Sequence, residues 1–210
     1  MKITPQNHPW ELIFQRDGRV LAELLPAFQQ AVDRFKAQSC SRILDLGCGC
    51  GRHLVGFSQE GFQATGMDIS ATGLTLTRSW LKEEKLDAGL VQGDFRQGLP
   101  FQGAHFQGIF STQVIHHALV KEIRLVIQEI WRVLEPDGLV FVTVAGRKAP
   151  PHLEIEPGTF IPQDGDEKGL PHHIFSPQEL REEFSRFEVL ETDYRDEGRV
   201  LILWARKPTA

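Results

Sequence analysis

The apolar positions change period along the chain. Val20, Leu21, Leu24, Leu25, Phe28, Val32 and Phe35 recur at steps of three and four. That spacing predicts a helix over 10–36, with Pro26 as a kink or boundary. The polar, proline-bearing residues 1–9 predict a loose start. From Arg42 onward, short apolar runs alternate with periodic ones. Strands are predicted at 42–46, 63–67, 89–92, 106–111 and 139–144. Between them, helices are predicted at 52–60, closed by Gly61, at 71–84, capped by Ser70, and at 120–134, stopped by Pro136-Asp137-Gly138. A short helix follows at 177–184, with Ser176 as its cap. Segments 188–194 and 199–205 read as a hairpin turning at Asp196-Glu197-Gly198.

Alternating strand and helix predicts an α/β fold: a doubly wound, mostly parallel sheet with helices on both faces, ending in an antiparallel hairpin. The 210 residues fit a single domain. Within it, 1–38 reads as an N-terminal helical cover and 39–146 as the ligand-binding core. Residues 147–175, rich in proline and glycine, read as a lid-like insertion without regular structure. Residues 176–210 supply the last helix and hairpin.

Composition narrows the partners. The net charge is −5, with 41% hydrophobic and 24% charged residues and no long basic run. Nothing indicates a nucleic acid or an anionic membrane as partner. Cys40, Cys48 and Cys50 form no disulfide framework and suit a reducing compartment. The Cys48–Cys50 spacing is too close for the usual two-cysteine redox or zinc pattern. There is no basic-then-apolar leader and no run of 18 apolar residues, so a cytoplasmic location is expected.

The chemistry concentrates at three predicted strand ends. Gly47, Gly49 and Gly51 follow the first strand, where glycine lets the backbone turn sharply and approach a ligand. Asp68 ends the second strand, placed for ribose hydroxyls. Asp94 follows the third, placed for an adenine amino group, with Phe95 beside it to pack on the base. In an open parallel sheet, ligands bind at such ends. A nicotinamide oxidoreductase shares this outline, but it would turn its glycines toward a pyrophosphate. The two acids, Asp45 inside the glycine motif and Asp94 before Phe95, favour a nucleoside carrying an ammonium.

These residues resemble the class I S-adenosylmethionine-dependent methyltransferases, small-molecule type. The resemblance covers roughly 40–145, through ILDLGCGCGRH, TGMDIS, VQGDF, FQGIFSTQVIHH and WRVLEPDGLVFVTV. It implies a seven-stranded sheet of order 3-2-1-4-5-7-6 with the last strand antiparallel. It also implies S-adenosyl-L-methionine as donor and S-adenosyl-L-homocysteine as product. Carried across, Asp45 would sit near the methionine ammonium, and Gly47, Cys48 and Gly49 along the methionine and ribose. Asp68 would hold the ribose hydroxyls and Ile69 would pack on adenine. Asp94 and Phe95 would recognise the base, while Ser111 and Thr112 would border the methionine end.

The acceptor side is less defined. His116, beyond the fourth strand, is the candidate catalytic base, with capping or packing as its other reading; His117 reads as packing. Trp10 and Phe14, one helical turn apart, are either a core contact or a cover over the site. His172 and His173 lie in the lid candidate, facing substrate or tethering the loop. No recognisable ligand spacing accompanies them, so no metal is expected. Trp80, Trp131 and Trp204 read as core.

After the fourth strand, Ser111-Thr112-Gln113-Val114 lacks the Asn/Asp-Pro-Pro-Tyr pattern of adenine or glutamine amino methylation. It also lacks the Pro-Cys of cytosine methylation. The expected reaction is in-line methyl transfer to a small-molecule acceptor. Alternatives are a non-catalytic donor-binding sensor or subunit, and an RNA or protein methyltransferase with a separate recognition subunit. Monomer and homodimer are both open.

Overall fold

A computed structural model describes residues 4–146 and 152–209, and gives no side-chain placement for His152. The predicted loose start therefore lies partly outside the described residues, as do positions 147–151 of the lid candidate. The predicted architecture is present. Seven strands form one sheet: β1 (Arg42–Leu46), β2 (Gln63–Asp68), β3 (Gly89–Gln92), β4 (Phe106–Thr112), β5 (Leu134–Ala145), β9 (Glu188–Arg195) and β10 (Val200–Arg206). Their order is β3-β2-β1-β4-β5-β10-β9. The first five are parallel, and β10 runs antiparallel to both β5 and β9.

Both faces are covered, which explains the nearly continuous apolar strands. Successive residues alternate sides. Val140, Val142 and Val144 of β5 face α5 (Val120–Val133) and α6 (Pro177–Glu183). Leu139 and Phe141 face α2 (Phe28–Ala37), α3 (Arg52–Gln59) and α4 (Ala71–Glu83). The second core is strongly aromatic: Phe28, Phe35, Phe57, Phe110, Phe141 and Trp204 pack at centroid distances between 4.7 and 6.1 Å. Trp204 is fully buried, as its core reading requires.

Two expectations change. The single N-terminal helix is two, α1 (Pro9–Asp17) and α2. Gly18, at φ 70°, ends the first, and Pro26 precedes the second. Leu25 and Ala27 pack against the core while Leu21 and Leu24 are exposed, so the helical spacing runs on through residues that form no helix.

The lid candidate is also more regular than its composition suggested. β6 (His152–Glu156), β7 (Thr159–Pro162) and β8 (His172–His173) form a small antiparallel sheet. Gly158, at φ 76°, turns β6 into β7. Its strands are two to five residues long. Elements that short leave little periodic signal against a proline- and glycine-rich background.

Candidate donor and acceptor site

The turn after β1 is built around positive backbone angles. Gly47, Gly49 and Gly51 have φ of 77°, 56° and 96°. At Gly47 a Cβ would lie 2.2 Å from Val114 Cγ2, so conformation and space both require glycine. Asp68, at the end of β2, clamps the turn. Its Oδ2 accepts the Gly49 N–H at 2.8 Å and its Oδ1 accepts the Ser70 N–H at 2.8 Å. Each carboxylate oxygen keeps a further acceptor site. Burial pushes the Asp68 carboxyl pKa up, against these two backbone hydrogen bonds.

Helix α1 closes over this turn. His8 caps it, its Nδ1 accepting the Trp10 N–H at 3.3 Å. Glu11 is buried and anchors it to the start of α4. It accepts from Ser70 Oγ at 2.5 Å, Thr72 Oγ1 at 2.6 Å and the Thr72 N–H at 3.1 Å. The Phe14 ring therefore lies against Gly49 and Gly73, where a Cβ would meet it at 3.1 and 3.0 Å. Trp10 follows at 5.7 Å centroid to centroid. Phe14 is both a core contact and a roof, since both aromatics also line the cavity beneath.

That cavity has a volume of about 470 Å³. From the expected donor residues it collects Gly47, Cys48, Gly49 and Asp68 on one wall. Ile69, Asp94 and Phe95 stand on the next, and Thr112 at the far end. Trp10, Phe14, His116 and His172 also face it. Three expected residues do not line it. Ser111 is buried within the sheet, its Oγ donating to the Leu46 carbonyl at 3.0 Å. His173 points the other way, its Nδ1 2.8 Å from Thr159 Oγ1 and its Nε2 2.9 Å from Glu179 Oε1. It ties β8 to β7 and α6. Asp45 lies behind the turn, 1% exposed, with Oδ2 lacking any partner. Burial raises its carboxyl to about 7, against the field of Arg52.

Asp94 is engaged by Arg96. Its Oδ1 accepts from Arg96 Nε at 2.8 Å and its Oδ2 from Arg96 Nη2 at 2.8 Å, and it caps the short 3₁₀ turn at Phe95–Gln97. Burial alone would raise its carboxyl; the guanidinium outweighs that and holds it below the usual range. Any base recognition by Asp94 shares the carboxylate with this pair.

At the other end lie three histidines. The His116 and His117 ring centroids are 4.0 Å apart, His117 and His172 4.5 Å, and His116 and His172 5.7 Å. Backbone pairing assembles them: the His173 N–H donates to the His116 carbonyl at 2.8 Å. Glu167 joins them, its Oε2 3.0 Å from His172 Nε2 and its Oε1 3.7 Å from His117 Nε2. Burial alone would raise the Glu167 carboxyl, but these neighbours hold it low. Burial, then His172, push the His116 pKa well below its ordinary value, so the imidazole is neutral but weakly basic. Nearby, Gln113 sits at φ 57°, a strained angle for a residue with a side chain.

Sequence reasoning missed Glu11, Arg96 and Glu167. Arg96, two residues past Asp94, was the most legible, because an acid followed at that spacing by arginine can pair locally. Glu11 and Glu167 act across 59 and 5 residues respectively. Each occupies a polar position that local patterning assigns to solvent.

The fold is the class I, Rossmann-like one, with this cavity at its strand ends. The methyltransferase-domain family model matches residues 43–138. Among curated relatives, the ubiquinone biosynthesis O-methyltransferase of Chelativorans sp. is 34% identical over 110 residues, covering 50% of this chain and 41% of that protein. The chain spans half or less of the length of the curated relatives it matches. A solved S-adenosylmethionine-dependent methyltransferase from Methanosarcina mazei superposes with a TM-score of 0.73 at 21% identity, covering 90% of this chain and all of that one. The Burkholderia thailandensis 1,6-didemethyltoxoflavin-N1-methyltransferase does so at 0.68 and 20%, covering 94% and 85%. At those identities the structural likeness speaks for the fold. With the family match, it makes the core of this chain similar to the class I S-adenosylmethionine-dependent methyltransferases. The methyl donor of that class is S-adenosyl-L-methionine, and its spent form is S-adenosyl-L-homocysteine.

Proposed function

We propose that the protein transfers a methyl group from S-adenosylmethionine to a small molecule by in-line displacement. One observation carries this reading. A single cavity joins the Asp68-clamped glycine turn to a roof of Trp10 and Phe14 and to a histidine-lined end. The chain's own residues fit the donor. Asp68 retains acceptor sites for two ribose hydroxyls, Ile69 and Phe95 flank a slot for the base, and the glycine turn leaves room for the methionine part. Asp45, buried behind the turn with Oδ2 unpartnered, is a carboxyl that a cationic donor would favour in its ionised form.

The donor is already activated as a sulfonium, so the protein's task is alignment and exclusion of water. The roof of α1 does the second. The acceptor enters between that roof and His116, His117 and His172, a space lined mainly by side chains and suited to a compact molecule. In the displacement the acceptor's lone pair forms the new bond to the methyl carbon. The carbon–sulfur bond breaks and its electron pair stays on sulfur. His116 is placed to orient the acceptor rather than to act as a strong base.

The test has two stages. Calorimetry with S-adenosylhomocysteine should show one site. Radiolabelled donor should then pass its methyl group to at least one member of a panel of phenols, thiols, amines and carboxylic acids. Donor binding with no transfer to any acceptor would favour the non-catalytic sensor, and absence of donor binding would defeat the proposal.

A further inference from the structure

We propose that His116, His117 and His172, closed by Glu167, bind a divalent transition-metal ion of the zinc type at the acceptor end of the cavity. One potential ligand atom from each of the three imidazoles lies within 4.8 Å of the others. Around a tetrahedral zinc ion, ligand nitrogens stand about 3.4 Å apart, so closure asks each ring to move by roughly 1 Å or less. His116 is 2% exposed and its Nδ1 has no hydrogen-bond partner. Three imidazoles and a carboxylate form the ligand set that suits zinc and neighbouring first-row ions, and disfavours magnesium or calcium.

The contacts of His172 fit the same geometry. Its Nδ1 lies 2.9 Å from the Leu170 carbonyl, which can only accept, so this nitrogen carries the hydrogen. Its Nε2 lies 3.0 Å from Glu167 Oε2, so ring and carboxylate converge on one point. The bond to Leu170 is also the outer-shell contact that fixes the tautomer of metal-bound histidines. Backbone pairing of His173 with His116 holds the two halves of the site in register.

An ion here would face the cavity and act as a Lewis acid toward an acceptor oxygen, nitrogen or sulfur, easing loss of its proton. That consequence rests on the methyl-transfer reading; the binding site itself does not. It would also account for an acceptor end without a strong base.

The full chain, stripped with a chelator and desalted, is titrated with Zn²⁺ against a chromophoric competitor and with Co²⁺ by visible absorption. One equivalent should bind, with ligand-field bands of nitrogen and oxygen ligation. His172→Gln and His116→Ala should each weaken binding at least tenfold, with Glu167→Gln weaker in effect. Circular dichroism identifies any variant that fails to fold; His172, on the small sheet outside the main core, carries the test if His116→Ala does. Absence of stoichiometric binding, or equal binding by folded His172→Gln, overturns the proposal. Calorimetry with S-adenosylhomocysteine on the same stripped protein separates the two claims. Donor binding together with no uptake of Zn²⁺ or Co²⁺ overturns the metal site alone, and metal uptake with no donor binding overturns the methyl-transfer reading alone.

Discussion

Replacing Asp68 by asparagine probes the donor half of the site with little change of shape. In the wild type each oxygen accepts one backbone N–H at 2.8 Å, from Gly49 and from Ser70. The amide of asparagine can satisfy only one of them and turns an NH₂ toward the other. Leaving that N–H unmatched should cost about 1–3 kcal/mol of stability. In a chain of this size that lowers Tm by about 2–4 °C per kcal/mol. Donor binding loses more specifically. A ribose diol donates to both carboxylate oxygens, and one of these charged hydrogen bonds disappears. At about 1.5–3 kcal/mol for such a bond, affinity for S-adenosylhomocysteine should fall about 10- to 150-fold. Isothermal calorimetry at a temperature where both proteins are folded reads the change. Affinity within threefold of wild type in a folded variant would refute the assignment of Asp68 to the ribose.

Asp45 predicts a pH dependence. Its carboxyl is raised to about 7 in the folded chain, above its ordinary value near 4. Its contribution to stability is therefore complete below about pH 4 and is lost as pH rises through about 7. Asp45→Asn should stabilise the donor-free protein relative to wild type at pH 8 by up to about 4 kcal/mol, and much less at pH 5. Parallel Tm–pH curves for the two proteins would contradict this. Glu11→Ala should release α1 from α4, removing acceptors from Ser70 and Thr72 at a cost of about 1–3 kcal/mol. Hydrogen exchange in 9–17 should rise while exchange in β1 and β4 stays slow; unchanged exchange in α1 would show that Trp10 and Phe14 hold the roof without Glu11.

How the two halves of the site differ in legibility follows from how they are built. The donor half lies on successive strand ends, each close in sequence to the strand that carries it. Gly47, Asp68 and Asp94 could be placed because an alternating strand–helix pattern fixes which ends gather on one edge. Even there, local sequence did not show that Asp94 is paired with Arg96, or that Asp45 and Ser111 lie behind the wall. Those outcomes depend on which way a side chain leaves the backbone. The proposed metal cluster escaped local sequence for a similar reason. His116 and His172 are far apart in sequence, and their adjacency comes from one backbone hydrogen bond between a loop and a two-residue strand.

The sequence by itself determined the class of fold and which strand ends gather at the cavity. Hydrophobic period, turn glycines and strand-end acids are local properties, and local propensity and global topology agree throughout the core. Only the tertiary structure decided what roofs that edge, which histidines meet and which acid stands beside them. Those contacts join segments whose own patterning is weak. They form because the surrounding core fixes the positions of α1 and the small sheet, bringing together groups that sequence spacing keeps apart.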